Sequence, residues 1–205
     1  EIFLRWGSIV MTTEDINESK LIRLAMDGSV DAYNRLVLAN QTSVYNTALR
    51  IMNDAALADD MAQTAFINAW KHIDSFNGGR FKPWLLRITI NACYDELRRV
   101  RRRPSVPLEP SSPDTEDENE DMPWMIDQSP QPREMAENND RIEAVKDCLS
   151  QLPEEYRVVM VLIDVQEEDY QTAAEILSKP LGTIKSRLMR ARLRMRDCLK
   201  AKGNF

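Results

Sequence analysis

Two neighbouring stretches near the C-terminus, YQTAAEIL at residues 170–177 and GTIKSRLMRARLRMRDCLK at residues 182–200, decide how this part of the chain folds. Both place apolar residues at helical spacing, and the first has small residues at its centre that allow another helix to approach closely. A break at residues 178–181 separates them, and Gly182 or Thr183 is able to cap the second helix. A short helix, a tight turn and a second helix predict a helix-turn-helix.

The second of these helices is predicted to have one apolar face and one basic face. Its apolar positions step by four, three and four residues: Ile184, Leu188, Ala191 and Met195. Between Lys179 and Lys202 there are nine basic residues and a single acid, Asp197. Such a helix fits the major groove of DNA, where Arg and Lys read guanine edges and neighbouring cations contact phosphates. The alternatives are a solvated basic helix and a basic amphipathic helix of the kind that calmodulin binds.

The charge of the chain is distributed unevenly. The formal net charge is −6, yet residues 104–140 alone hold eleven acidic residues and one basic residue. The same segment holds seven of the ten prolines, and this composition cannot bury enough apolar surface to offset its ordering entropy. We therefore expect a flexible acidic linker. Its apolar cluster at residues 124–126 is interpreted as a loosely packed anchor or as a docking segment for a partner.

Apolar residues at helical spacing continue on both sides of this linker, and no stretch alternates apolar and polar residues between turn signals. We therefore predict an all-α fold made of two small helical domains joined by a flexible linker. The predicted boundaries are a disordered N-terminal extension at residues 1–19, a first domain at 20–103, the acidic linker at 104–140, and a second domain at 141–205.

Composition argues against several classes of protein. No apolar run approaches the about 18 residues that span a bilayer, so no direct membrane insertion is expected. Cys93, Cys148 and Cys198 are odd in number and lie about fifty residues apart. We expect them to be small packed residues, without disulfides, in a cytoplasmic protein. The single histidine, His72, has no Cys or His close to it in sequence, so no metal and no cofactor is predicted.

The end of the first domain combines basic and aromatic residues. Residues 80–103 hold eight basic residues and two acids, with several aromatic rings among or beside them. This combination suits single-stranded nucleic acid, because cations contact the phosphates while rings stack on exposed bases. The glycine pair at residues 78–79 allows the backbone to approach such a base closely.

Residues 152–159, followed by the two helices of the helix-turn-helix, resemble region 4 of a bacterial sigma factor, and most resemble the extracytoplasmic-function group of the sigma-70 family. In the first domain, DDMAQTAFINAW at residues 59–70 is similar to the polymerase-binding helix of this family. The sequence FKPWLLRITINACYDELRR at residues 81–99 resembles its promoter-melting helix. The resemblance implies a sigma factor, without catalytic activity of its own, that directs core RNA polymerase to promoters.

The resemblance also assigns site residues. The helix-turn-helix is expected to read the minus-thirty-five element of duplex promoter DNA through Thr183, Lys185, Ser186, Arg187, Met189, Arg190 and Arg194. The first domain is expected to hold the melted minus-ten strand through Phe76, Arg80, Trp84, Asn91, Asp95, Arg98 and Arg99. Core RNA polymerase is expected to bind Asp60, Gln63 and Phe66, which share a helix face. An anti-sigma factor is the other expected partner.

Several of these residues have a structural alternative. Trp84 and Phe66 are also interpreted as core residues, Asn91 as a solvated amide, and Asp60 as a surface charge. The arginine triplet at residues 101–103 is also interpreted as a solvated helix end. For the whole chain, the alternative function is a helix-turn-helix regulator whose first domain binds a signal molecule; that function predicts a ligand cavity and dimerisation.

Overall fold

The computed structural model describes residues 18–102 and 132–203, which are helical apart from short turns and contain no strand. The helices are α1 (Glu18–Met26), α2 (Val30–Met52), α3 (Ala55–Lys71), α4 (Phe81–Arg102), α5 (Pro132–Ser150), α6 (Glu154–Met160), α7 (Tyr170–Leu177) and α8 (Leu181–Ala201). The all-α prediction is confirmed. None of the described helices is long and apolar enough to cross a membrane.

Helices α1 to α4 form the N-terminal domain, and local sequence signals determine where α2 and α3 begin. The Ser29 side chain accepts a hydrogen bond from the backbone N–H of Ala32, and Asp54 accepts one from Leu57. Both are N-caps that satisfy otherwise free N–H groups of a first helical turn. Between the two helices, Asn53 adopts the left-handed conformation and turns the chain, so that α2 and α3 pack against each other.

Helices α5 to α8 form the C-terminal domain, which contains the predicted helix-turn-helix as α7, a short turn and α8. Asp169 caps α7 by accepting hydrogen bonds from the backbone N–H and the hydroxyl of Thr172, and these bonds lower the pKa of Asp169. Ser178 ends α7 in the left-handed conformation. The predicted cap of α8 is wrong, because this helix begins at Leu181 after Pro180, and Thr183 lies within its first turn.

Two boundaries differ from the expected ones. Helix α5 begins at Pro132, inside the segment expected to be a linker, so its first turns belong to the C-terminal domain. Helix α6 continues into a π-helical turn at Val161–Val165, whereas apolar spacing in the sequence predicts one helix over residues 154–164. The apolar cluster at residues 124–126 and the extension at residues 1–17 lie outside the described residues.

The cysteines correct a prediction. Cys148 of α5 and Cys198 of α8 form a disulfide that closes a loop across fifty positions of sequence. Only Cys93 is the buried, packed thiol that the sequence leads us to expect. The error has a physical origin, because two helices that pack side by side bring together residues that are far apart in sequence.

The two domains share a hydrophobic core. One continuous cluster of buried residues includes Ile51 and Ile90 of the N-terminal domain and Val158, Leu162 and Ile184 of the C-terminal domain. A second cluster, around Leu36 and Phe81, belongs to the N-terminal domain alone. The domains therefore contact each other through apolar side chains rather than standing apart.

Candidate nucleic-acid interface

The exposed side of α8 in its N-terminal half carries Lys185, Ser186, Met189 and Arg190, which we call the recognition face. All four are exposed, and 59% of the Met189 surface is accessible. The opposite side of α8 is buried in the shared core, as the apolar spacing predicts. Lys185 and Arg190 form no ion pair within the described residues, so both cations are available to a ligand.

The other arginines of α8 are engaged within the protein. Arg187 pairs with Glu155 of α6, and the Arg192 guanidinium donates to Asp164 with a shortest N–O distance of 2.5 Å. Arg194 lies over the ring of Tyr156, with its central carbon 5.4 Å from the ring centroid. Sequence reasoning missed these partners because they come from another helix. Arg187 and Arg194 thus hold α8 in place, although both are expected DNA contacts.

A second candidate surface is a cavity of about 770 Å³ beside the N-terminal half of α4, which we call the α4 cavity. Among the expected residues, Arg80, Trp84 and Asn91 line it together with the glycine turn at residues 78–79. His72 and Arg87 also line it and are absent from the expected set. The spacing of Arg87 from Asn91, one helical turn, places both on one face and would have identified this arginine.

The aromatic residues around the α4 cavity divide into buried and accessible rings. Phe76 is only 7% exposed and packs edge-on against Phe81 and Trp84, with ring centroids 6.0 and 5.5 Å away. Its expected role as a base-stacking residue is corrected, since its ring faces the core. Trp84 packs against the same core and also lines the cavity, so its contact with the melted strand stays a prediction.

The remaining expected residues of α4 lie nearer its C-terminus. Arg98 is within 3.5 Å of Asp95, and both side chains are largely exposed. Arg99 forms two hydrogen bonds of 2.6 Å to Glu96, which raise the pKa of this arginine. These four residues lie outside the lining of the α4 cavity and form a separate charged surface along the helix.

One wall of the α4 cavity comes from the other domain. Thr172, Glu175 and Ile176 of α7 line it opposite α4. At its edge, Arg80 and Lys82 contact Glu168, whose side chain is completely buried. Sequence alone does not reveal this wall, because nothing in the pattern of either helix identifies its neighbour.

The expected polymerase-binding face on α3 is partly exposed. Asp60 and Gln63 are accessible, whereas Phe66 is half-buried and packs on the core of the N-terminal domain. The Tyr33 hydroxyl donates to the backbone oxygen of Phe66 at 2.5 Å, which fixes this part of α3. Ile67, which follows Phe66, is 51% exposed and adds an apolar group that the expected set omits.

No site for a metal ion emerges from the residues described: within 18–102 and 132–203, no three His, Cys, Asp or Glu side chains come together as possible ligands. The side chains at the two candidate surfaces include guanidinium, ammonium, amide, hydroxyl and aromatic groups, and the imidazole of His72 and the carboxylate of Glu175 also line the α4 cavity. These groups recognise phosphates and base edges.

Comparison with known proteins identifies both domains. Residues 36–103 match the family model described as sigma-70 region 2, and residues 142–195 match the model described as sigma-70, region 4. The chain is 34% identical over 188 residues to the RNA polymerase sigma-H factor of Pseudomonas aeruginosa, covering 89% of this chain and 93% of that protein. It is 30% identical over 182 residues to the ECF RNA polymerase sigma factor SigW of Bacillus subtilis, covering 88% of this chain and 96% of that protein.

A solved structure is similar over most of the chain. The sigma factor RpoE from Bartonella quintana, in complex with the anti-sigma factor NepR, superimposes with a TM-score of 0.62 at 25% identity. The alignment covers 83% of this chain and 98% of that one. The likeness extends across both helical domains rather than being confined to the helix-turn-helix.

Proposed function

We propose, because this chain belongs to the extracytoplasmic-function group of the sigma-70 family of RNA polymerase sigma factors, that it binds core RNA polymerase and directs promoter-specific initiation. Its C-terminal domain reads the minus-thirty-five element of the duplex, and its N-terminal domain holds the melted minus-ten strand. The chain itself supplies recognition and strand capture, while the polymerase makes the phosphodiester bonds.

The observation that carries this proposal is that one chain has two different surfaces whose side chains suit nucleic acid, in the order of the family. The recognition face on α8 presents two cations to a duplex, and neither is paired within residues 18–102 and 132–203. The α4 cavity combines an amide, a tryptophan and arginines, a set that suits an unstacked base and its phosphate. A regulator that binds a signal molecule would also have a cavity, but it offers no reason for the eight basic residues at 80–103.

We assign roles to the site residues accordingly. Lys185, Ser186, Met189 and Arg190 contact base edges in the major groove, and Thr183 lies at the helix start near the phosphates. Asn91 reads a base edge in the α4 cavity, since its amide offers both a donor and an acceptor. We propose sequence-independent contacts for the arginines and for Trp84: Arg80, Trp84, Arg98, Arg99, Arg187 and Arg194. The Asp95 carboxylate would repel a phosphate, so its proposed contact is acceptance of a hydrogen bond from a base amino group.

The partners follow from the same assignment. Asp60, Gln63 and Ile67 form the accessible part of the α3 face for core polymerase, with Phe66 supporting it from the core side. An anti-sigma factor is a further proposed partner, supported by the RpoE–NepR complex. Since core polymerase acts on the chromosome, we place the protein in the cytoplasm, and we expect no enzymatic activity of its own.

Run-off transcription with purified core polymerase tests this function directly. Fragments of the source genome, core enzyme and this protein together should give promoter-specific transcripts, whereas core enzyme alone should give none. Absence of a specific transcript from every fragment would refute the function.

A charge-reversal variant tests the polymerase contact. Asp60→Lys should reduce capture of the protein by immobilised core polymerase, because it places a cation on the exposed α3 face. The matched control is Asp31→Lys, an exposed acid at the start of α2. Equal capture of both variants would remove Asp60 from the polymerase surface.

A further inference from the structure

Two ion pairs connect helix α8 to one neighbouring segment of the C-terminal domain. Arg187 pairs with Glu155, and the Arg192 guanidinium donates twice to Asp164, with N–O distances of 2.5 and 3.2 Å. Both acids belong to residues 154–165, which comprise α6 and the π-helical turn that follows it. The helix that carries the recognition face is thus tied to this segment at two points.

Helical geometry places the two arginines on either side of the buried surface of α8. With about 3.6 residues per turn, side chains five positions apart point about 140° apart around the axis. The buried residues of α8 fall in the sector between the two arginines, and the recognition face lies in the opposite sector: Ile184, Leu188, Ala191 and Met195 are the buried ones. Rotation of α8 about its axis, in either direction, therefore lengthens one of the two pairs.

The pair at Arg192 constrains orientation as well as distance. The apolar contacts of α8 hold it against the core, but hydrophobic attraction is non-directional. A guanidinium that donates two hydrogen bonds to one carboxylate is directional, because two planar groups have to align. The bond to Asp164 also raises the pKa of Arg192, which keeps this guanidinium charged.

The backbone at Asp164 departs from a regular α-helix. Asp164 lies in the π-helical turn, where the backbone N–H of Gln166 donates to the carbonyl of Val161, five residues back, at 2.9 Å. The additional residue in such a turn changes the direction of its side chains, and turns of this kind occur often at functional sites. Here the turn brings the carboxylate of Asp164 to Arg192.

A small rotation of α8 is enough to change base recognition. Side chains extend about 5–6 Å from a helix axis, so a rotation of about 20° moves their ends by about 2 Å. A hydrogen bond to a base edge is lost by such a shift, because its heavy atoms have to stay within about 3.2 Å. Contacts with phosphates tolerate more, since the attraction between charges falls off slowly with distance.

We propose that Glu155 and Asp164 are positioning residues for promoter recognition. Through their arginine partners they set the rotation of α8, and so the base preference of the recognition face. This inference rests on the proposed function and adds residues that determine its specificity. Loss of either acid should lower the discrimination between base pairs and leave sequence-independent binding in place.

Three variants of the full-length protein weaken the two pairs. Asp164→Asn and Glu155→Gln keep the shape of each acid and remove its charge. Arg192→Lys keeps the cation and loses the double hydrogen bond. The matched control is Asp197→Asn, because Asp197 pairs with Arg196 of the same helix and cannot hold α8 against a neighbour. Circular dichroism and urea unfolding establish that each variant is folded.

Base preference is measured on the protein bound to core polymerase. The wild type selects its preferred duplex from a library with a randomised upstream element, and each variant is titrated with this duplex and with single-base-changed duplexes. The ratio of the two affinities does not depend on the fraction of active protein, since one preparation binds both duplexes.

The expected changes follow from what one base pair contributes. A mismatched base pair lowers affinity by about 5- to 150-fold, so we expect the ratio to fall on the order of fivefold in Asp164→Asn and Glu155→Gln. In Arg192→Lys, which keeps part of the contact, it should fall on the order of threefold. The control should keep the ratio of the wild type.

Several results would overturn the inference. One is a wild-type ratio in either Asp164→Asn or Glu155→Gln. Another is an equal fall in Asp197→Asn, because the general charge near α8 would then be the cause. A loss of equal size on every duplex in Arg192→Lys would also overturn it, by making this arginine a phosphate contact. Failure of the proposed function is distinct, since the wild type would then select no preferred duplex and give no promoter-specific transcript.

Discussion

The two proposed DNA-binding surfaces of this sigma factor differ in how accessible they are. The recognition face on α8 points to solvent, and Lys185 and Arg190 form no ion pair with any residue that the structure describes. The α4 cavity is walled by α7, and its cation Arg80 pairs with Glu168. The surface proposed for duplex DNA is thus exposed, and the surface proposed for single-stranded DNA has one wall from the other domain. This difference fits the order of events at a promoter, where duplex is met before any strand is separated.

The two domains also differ in how their shape is secured. The C-terminal domain has a disulfide between α5 and α8, and two of the five arginines of α8 form ion pairs with the segment at residues 154–165. The N-terminal domain relies on packing, with a buried free thiol at Cys93. Helix α8 is therefore held by covalent and ionic contacts within its own domain, whereas the shape of the α4 cavity depends on contact between the domains. Each of the following changes tests one part of this difference.

The largest effect is expected from opening the disulfide. A cross-link that closes a loop of about fifty residues restricts the unfolded chain, and its loss typically costs about 2–4 kcal/mol. We expect reduction of the wild type to lower the free energy of unfolding, measured with urea, by this amount. The double variant Cys148→Ser with Cys198→Ser should have the lower stability and show no response to reductant. A wild type that is equally stable with and without reductant would contradict the cross-link.

The next largest loss of stability is expected from replacing Arg157 of α6, which contacts the N-terminal domain. Its guanidinium donates to the carbonyls of Ile51, Ser150 and Leu152, and burial lowers its pKa. Replacement by Ala leaves these acceptors without their charged donor, which costs about 1.5–3 kcal/mol.

Arg157→Lys separates charge from geometry at this site. An ammonium keeps the charge but cannot reach three carbonyls with the planar arrangement of a guanidinium, so only part of the stability should return. Urea unfolding of both variants measures this. If Lys restored the full stability, the planar arrangement would be irrelevant.

A smaller effect tests the recognition face against the paired arginines. Arg190→Ala should cost about 1–3 kcal/mol of binding to the preferred duplex and relax the preference at one base pair. Arg194 lies over Tyr156, so Arg194→Ala should lower protein stability by about 0.5–1 kcal/mol and weaken all duplexes alike.

Titrations of both variants against the preferred duplex and single-base-changed duplexes, at several salt concentrations, distinguish these roles. If Arg190→Ala lost equal affinity on every duplex, with a reduced salt dependence, Arg190 would contact phosphate rather than a base. A base-specific loss in Arg194→Ala would instead move the recognition face further along α8.

The smallest effect is expected in the reactivity of the cysteine thiols of the two domains towards iodoacetamide. Burial raises the pKa of Cys93 to about 12, so near pH 8 almost none of it is the reactive thiolate. Iodoacetamide should therefore modify no cysteine of the native protein without reductant. After reduction, the half-buried Cys198 should react before Cys148, which is 1% exposed. Mass spectrometry after digestion locates the label, and early modification of Cys93 would contradict its burial.

Local patterns in the sequence predict the helices and the exposed side of α8 that we call the recognition face. The spacing of Ile184, Leu188, Ala191 and Met195 predicts the buried side of α8 correctly, because helical periodicity assigns each side chain to a face. The same geometry leaves Lys185 and Arg190 on the exposed side. For Phe76 the residue type alone was misleading, since an aromatic ring suits both a core and a base, and only the surrounding rings decide between them.

What the sequence determined by itself is the all-α fold, the helix-turn-helix and the order of the two domains, because these depend on residues close together in the chain. Only the tertiary structure decided that Cys148 meets Cys198, that Glu168 is buried against Arg80 and that α7 covers the α4 cavity. Each of these contacts joins residues that are fifty or more positions apart. Such contacts depend on how whole helices pack, and no local pattern carries that information.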